Sequence, residues 1–244
     1  MKTILLAIAI MIFNISAQAQ WSSKKVKGNG KVTTEERTVD DYDTIKVSGS
    51  FDVFLVSGSE GKLTVEAEEN LMPYIITENK GSALVIKNKK GINLRLGRNK
   101  KIKITVPFED IEAISLSGSG DVNGKDLIKA QDFRASLAGS GNMAIQVNAK
   151  CMSGSVSGSG DLTLKGSTER VKLQIAGSGD IHAKELHATH AEAHIAGSGN
   201  IKMNCNGGIL KVRVSGSGDV HYTGNPKNKD VKINGSGNVF NSKQ

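Results

Sequence analysis

Four histidines, His182, His187, His190 and His194, fall within thirteen residues, and His190, Glu192 and His194 alternate with Ala191, Ala193 and Ile195. Imidazole and carboxylate groups projecting from one face of a strand are donors that zinc accepts. The neighbouring sequence repeats argue against that chemistry. In register they place Lys172 and Lys211 beside Glu192, and Gln174 and Arg213 beside His194. Such neighbours build a cross-strand charge ladder and repel a cation, so no metal and no cofactor is expected.

Three further chemistries are tested by spacing. Gly-Ser-Gly-Asp/Asn recurs along the chain, but it lacks the nonapeptide Gly-Gly-x-Gly-x-Asp of calcium-binding rolls, and the alternating Asn removes charge. A phosphate loop needs a following helix or a Lys-Ser/Thr pair, and neither is present. Polysaccharide lyases and hydrolases need paired carboxylates and commonly aromatic platforms. From residue 118 onward the aromatic side chains are Phe133, Tyr222 and Phe240, and the acids are dispersed. A non-enzymatic protein is expected, with a carbohydrate-active enzyme as the alternative.

A basic run points to binding. Lys87, Lys89, Lys90, Arg95, Arg98, Lys100, Lys101 and Lys103 lie within seventeen residues that contain no acid. This is a candidate patch for an anionic glycan or an envelope component; the plainer reading is a solvated face whose lysines guard a sheet edge. Few aromatics and an export signal exclude nucleic acid as partner. That signal consists of Lys2, the apolar run Ile4 to Phe13, and Ala17-Gln18-Ala19 ahead of Gln20, so residues 1–19 read as a signal peptide. Without Lys2 the chain carries 31 basic and 24 acidic side chains, a net +7. No later stretch has the roughly 20 apolar residues of a membrane helix. The expected location is the periplasm, the outer-membrane surface or the exterior.

What must position such a patch is a repeat. Its corner begins at Gly118, Gly139, Gly158, Gly177, Gly197, Gly216 and Gly235, in steps of 21, 19, 19, 20, 19 and 19 residues. The second glycine is Gly120, Gly141, Gly160, Gly179, Gly199, Gly218 and Gly237. The polar residue after it is Asp121, Asn142, Asp161, Asp180, Asn200, Asp219 and Asn238. Apolar residues stand two before each corner (Leu116, Leu137, Val156, Ile175, Ile195, Val214, Ile233) and directly after the Asp/Asn (Val122, Met143, Leu162, Ile181, Ile201, Val220, Val239). Glycine permits the backbone angles and close approach a corner needs, Asp/Asn can bond its own turn, and corner serines can bond between coils. Turns are expected mid-repeat, at Lys165-Gly166-Ser167 and Asn206-Gly207-Gly208.

A unit of about 20 residues cannot bury its own apolar face, so the copies must stack. The expected fold is all-β: a right-handed single-stranded parallel β-helix (solenoid) with coils of about 20 residues. Residues 118–244 form the regular repeats. Residues 37–117 are a divergent β region, a cap or subdomain, with a degenerate corner at Val47–Val53 and strand-like runs at Lys62–Ala67, Ala83–Lys87, Ile92–Leu96 and Lys101–Val106. Residues 20–36 read as a flexible segment. Cys151 and Cys205 differ in phase and are nearly three coils apart, beyond disulfide reach, so both are expected unpaired. The last copy carries no obvious cap, which opens a route to a homo-oligomer through the solenoid ends and, as a further alternative, to a self-assembling envelope structural protein.

The run Glu36-Arg37-Thr38-Val39, Tyr42, Ile45-Lys46-Val47 and Phe51-Asp52-Val53 resembles the opening of the family called putative auto-transporter adhesin, head GIN domain, common in Bacteroidota. Val65-Glu66-Ala67, Asn70-Leu71, Ile102–Pro107 and the train of corners continue the resemblance over residues 36–240. It implies an exported β-helical protein with no established activity, adhesin-like in label. The membrane barrel of a true autotransporter is not in this sequence, which leaves periplasmic residence as open as secretion.

Overall fold

A computed structural model describes residues 23–242; the expected signal peptide lies outside them. The first strands are β1 (Lys24–Lys27), β2 (Val32–Thr38), β3 (Thr44–Gly49), β4 (Asp52–Ser57), β5 (Lys62–Glu68), β6 (Ile75–Lys80), β7 (Ala83–Asn88), β8 (Ile92–Arg95) and β9 (Lys103–Phe108). There follow β10 (Ala113–Gly118), β11 (Asp121–Gly139), β12 (Asn142–Gly158), β13 (Leu162–Gly177), β14 (Ile181–Ala183) and β15 (Leu186–Gly197). The chain ends with β16 (Ile201–Asn204), β17 (Ile209–Gly216), β18 (Val220–Thr223), β19 (Asn228–Gly235) and β20 (Val239–Asn241). One 3-10 turn, Met72–Tyr74, is the helical element among the described residues. Strands of successive copies pair in parallel, corner glycine on corner glycine from Gly118 to Gly235. This is a parallel β-solenoid of about 7 turns with coils of about 19 residues.

The glycines answer a steric demand. Gly139 has φ +122, and a Cβ there would sit 2.3 Å from the Gly118 carbonyl oxygen. Gly141 has no such φ, yet its Cβ would stand 1.9 Å from the Gly120 oxygen. The first glycine is therefore required by conformation and stacking, the second by stacking alone. The close approach lets the amides of Ser140 and Gly141 both donate to Gly118 O, at 3.0 and 3.1 Å. The corner serines, in contrast to expectation, point into solvent; the bond along a serine column lies a few residues earlier, from Ser155 Oγ to Ser136 Oγ at 3.2 Å.

The Asp/Asn column is a continuous ladder. The amides of Asn142, Asp161, Asp180, Asn200, Asp219 and Asn238 each donate to the side-chain oxygen of the preceding coil's member. Where Asn follows Asp, its Nδ2 adds a second bond to the same oxygen: Asn142 to Asp121 at 3.0 Å, Asn200 to Asp180 at 3.1 Å and Asn238 to Asp219 at 3.3 Å. The Asp161–Asp180 step has two carboxylates and no such bond.

Departures from period 19 are absorbed as bulges. Between Asn123 and Leu127 the first coil carries two residues more than its neighbour, and between His182 and Leu186 another carries one more. Beneath the strands one core runs from Val39 to Tyr222. Gly154 leaves room there for Leu164 and Leu173. The expected turn at Lys165-Gly166-Ser167 is instead a bend inside β13, where Gly166 stays in register with Val147. Cys151 and Cys205 are both free, as their phase difference predicts.

The divergent N-terminal region belongs to the same stack. β3 and β4 form a coil beneath β10 and β11, with Gly49 under Gly118 and Asp52 under Asp121. The next layer outward is β7 and β9, later in sequence; β6, β5 and β2 then close the end in antiparallel pairing. Within the segment 20–36, expected to be flexible, residues 24–27 and 32–36 are in strands because each stretch finds a partner distant in sequence.

Two outcomes test this account by thermal or urea unfolding. Gly160→Ala is expected to cost roughly 1–3 kcal/mol, because the added methyl displaces backbone, while Ser159→Ala stays within about 0.5 kcal/mol. Asp180→Asn is expected to hold or raise stability by gaining a bond to Asp161, whereas Asp180→Ala, which orphans the Asn200 amide, lowers it by about 1–3 kcal/mol.

Candidate functional site

His190, Glu192 and His194 are not among the donor groups that converge in the described residues. Glu192 Oε1 is taken by His194 Nε2 at 2.5 Å and Lys211 Nζ at 3.3 Å, and the hydrogen bond from His194 heads the causes that hold the Glu192 carboxyl below its usual range. His190 turns away, its Nδ1 accepting the Ile209 amide at 3.1 Å. The convergent group among the described residues is another one: Asp161, Asp180 and His182 bring ligand atoms within 4.8 Å of one another. Both carboxylates there already accept ladder amides, and Lys202 lies beside His182 in register.

The basic run has a defined architecture. β8 and the residue that follows it alternate Ile92, Leu94 and Leu96, which are half-buried, with exposed Asn93 and Arg95. Leu94 and Leu96 pack against the core. β1 lies parallel beside it, pairing Lys25 with Asn93, Val26 with Leu94 and Lys27 with Arg95. Partners in register share a face, so exposed Lys25 and Lys27 join Arg95 on one basic ribbon. Reading the run alone missed β1: Lys24-Lys25-Val26-Lys27 has too few residues to show a period, and its partner is 68 residues away.

Three of the eight run residues are neutralised locally. Lys87 binds Glu78 at 2.6 Å, Lys101 binds Asp52 at 2.7 Å and Lys103 binds Glu66 at 3.0 Å. Lys89, Arg95, Arg98 and Lys100, with Lys24, Lys25 and Lys27, have no acidic partner within 4 Å among the described residues. Lys90 is exposed on the turn entering β8.

A buried acid holds the ribbon in place. Glu68 is 0% exposed and accepts the amides of Gly30 at 2.6 Å and Gly97 at 2.8 Å. A Cβ at Gly28 would lie 2.0 Å from one carboxylate oxygen and a Cβ at Gly97 2.7 Å from the other, so glycine at both sites lets the backbone reach the acid. Asn70 assists, accepting the Asn29 amide at 2.9 Å and donating to Lys27 O at 2.8 Å. A carboxylate receiving two backbone amides is a strong, directional clamp.

Beneath the ribbon is a hollow of about 350 Å³, lined in part by Ser23, Ser50, Asn88, Asn93 and Leu94. Asn88 Oδ1 is a buried side-chain oxygen with no hydrogen-bond partner, the only one found among the described residues. A buried acceptor without a donor costs stability, and Asn88 lines this hollow together with Phe51, Ile92, Leu96 and Ile102.

Glu68→Ala is expected to speed hydrogen exchange at Gly30 and Gly97 and to lower stability by about 1–3 kcal/mol. Glu68→Gln, which keeps one acceptor oxygen, falls between it and the parent. Peptide-resolved exchange with a melting curve reads both.

The family model for the putative auto-transporter adhesin, head GIN domain, matches residues 41–226. No curated protein matches the chain. A structure of a putative adhesin from Bacteroides fragilis NCTC 9343 has a TM-score of 0.79 at 24% identity, over 88% of this chain and 98% of that one. A putative lipid binding protein from Parabacteroides distasonis ATCC 8503 has 0.72 at 29% identity, over 89% and 100%. A putative adhesin from the same organism has 0.70 at 27% identity, over 88% and 99%. With the corners, the Phe51 coil and the matched span in agreement, the chain belongs to the putative auto-transporter adhesin, head GIN domain family.

Proposed function

We propose that the protein is an exported, non-enzymatic binding protein of the cell envelope, whose ribbon of Lys25, Lys27 and Arg95 and adjoining hollow hold an acidic glycan. The observation that carries this reading is the concentration of unpaired cations on the paired strands β1 and β8, beside a hollow that Asn93 and Leu94 of β8 help to line. Carboxylate, sulfate or phosphate groups would meet the cations. No helix among the described residues is long and apolar enough to cross a membrane. The relative described as lipid binding fits the same chemistry if the acidic group sits on a lipid headgroup.

The enzyme alternative has its best location in a hollow lined by Asp43, Asp110, Glu112 and Lys129. Those acids are not among the sets of three that converge within 4.8 Å, and no aromatic side chain lines the hollow as a sugar platform. This favours binding over turnover.

The test uses an immobilised uronic-acid polysaccharide, with a neutral glucan and anionic phospholipid vesicles as comparison arms. Binding to the uronate is expected to weaken with salt. It should fall at least about tenfold, roughly 1.4 kcal/mol, in a Lys25→Glu, Lys27→Glu, Arg95→Glu variant, and be unchanged in Lys150→Glu. Preference for vesicles would move the ligand to a lipid headgroup. Full affinity in the triple variant, or depolymerisation of the polysaccharide, would sink the proposal.

A further inference from the structure

The two ends of the solenoid are finished differently. At the N-terminal end β6, β5 and β2 lie antiparallel over the outermost coil. At the other end, among the described residues, β19 has its register with β17 and β20 with β18, and no further register is found for either. All eight residues of β19 are exposed. Val231 and Ile233 are 40% and 38% exposed, although Val212 and Val214 in the same columns are 0% and 2%. Phe240, 44% exposed, stacks on His221 beside them. The ladders also stop here: Gly216 O receives the Ser236 and Gly237 amides, but among the described residues no following coil reaches Gly235 O, and Asn238 Oδ1 accepts nothing.

We propose that this edge docks a second copy of the chain, β19 pairing antiparallel with β19 across a two-fold axis at Val231. A head-to-tail contact would need a bare coil at the N-terminal end, which the antiparallel strands already cover. An isologous contact needs the bare edge alone, twice. Side-chain alternation narrows the register, because a one-residue slip sets inward residues against outward ones. Of the registers that keep inward facing inward, centring on Asp230 opposes two aspartates, and centring on Lys232 opposes two lysines. Centring on Val231 sets Asp230 of each copy against Lys232 of the other.

The charge columns converge on the same register. Lys172, Glu192, Lys211 and Asp230 lie in successive coils with alternating sign, and the next place in that column would be filled by Lys232 of the second copy. In the adjacent column Arg213, already held by Asp230 of its own chain, is followed by Lys232, and Asp230 of the second copy would come next to that lysine. Lys229, on an inward position of the edge, is drawn aside: its Nζ lies 3.3 Å from Tyr222 Oη and 5.9 Å from the ring centroid. Its stem is left to cover Ile233 of the other copy. Where the basic ribbon binds as proposed above, such a pair carries two ribbons at its outer ends and gains avidity for a repeating polymer.

Sedimentation equilibrium of the purified chain across a wide concentration range tests the pairing independently of any glycan. A reversible dimer is expected. Lys232→Asp, which breaks no ion pair of the described chain, should raise its dissociation constant at least about tenfold by opposing like charges. Adding Asp230→Lys to it should restore dimerisation, with circular dichroism confirming that each variant is folded. A monomer at every concentration, an open-ended series of oligomers, or a dimer indifferent to Lys232→Asp would overturn the inference.

Discussion

The close contact between corner backbones sets the terms for everything else in this molecule. Coils about 4.8 Å apart bring each corner carbonyl to where the next coil's Cβ would be, within 2.4 Å at every first glycine from Gly118 to Gly235. A side chain on either glycine would force the coils apart at that point. Without one, two amides share a single carbonyl and the Asp/Asn side chain caps a third amide at the turn. Because the corner admits a single register, the apolar columns on both sides are aligned by it, and surplus residues are pushed out as bulges at Gly124–Asp126 and Lys184–Glu185.

That constraint is also why so much of the fold could be read directly from the residues. A steric rule applied seven times leaves the same two glycines seven times, and stacking repeats the Asp/Asn ladder and the inward apolar positions beside them. The corner at Gly49 was harder to place. Phe51 stands where later copies have the second glycine, and the Asp121 amide bonds Phe51 O in place of the Asp52 side chain. Sequence order also misleads at this end, since β7 and β9 lie outside β3 and β4 although they follow them.

The candidate site was half legible. The cations from Lys87 to Lys103 are conspicuous in composition, but three of them are held by Glu78, Asp52 and Glu66 from other strands, pairs that no local pattern encodes. Glu68 is the clearest case. Alternation in β5 buries Leu63, Val65 and Ala67 and would turn Glu68 outward with Glu66, yet Glu68 is fully buried. Its burial is decided by the Gly30 and Gly97 amides that meet it, 38 and 29 residues away. The histidines erred in the opposite direction: they are dense in sequence, but stacking gives Glu192 a lysine and His190 a backbone amide.

Repetition and chemistry thus occupy different parts of the chain. Along the regular coils one charge column alternates in sign, Lys172, Glu192, Lys211 and Asp230, its neighbour sets Arg213 beside Lys232, and the corner carboxylates are interleaved with amides. Cations without an acidic partner gather where the chain leaves the repeat, on a ribbon whose strands need no corner and whose flanking turns are held by one buried acid and two glycines. Since those residues lie outside the stacking rule, they can change without disturbing it, so proteins of the same fold are free to differ in the chemistry of this end.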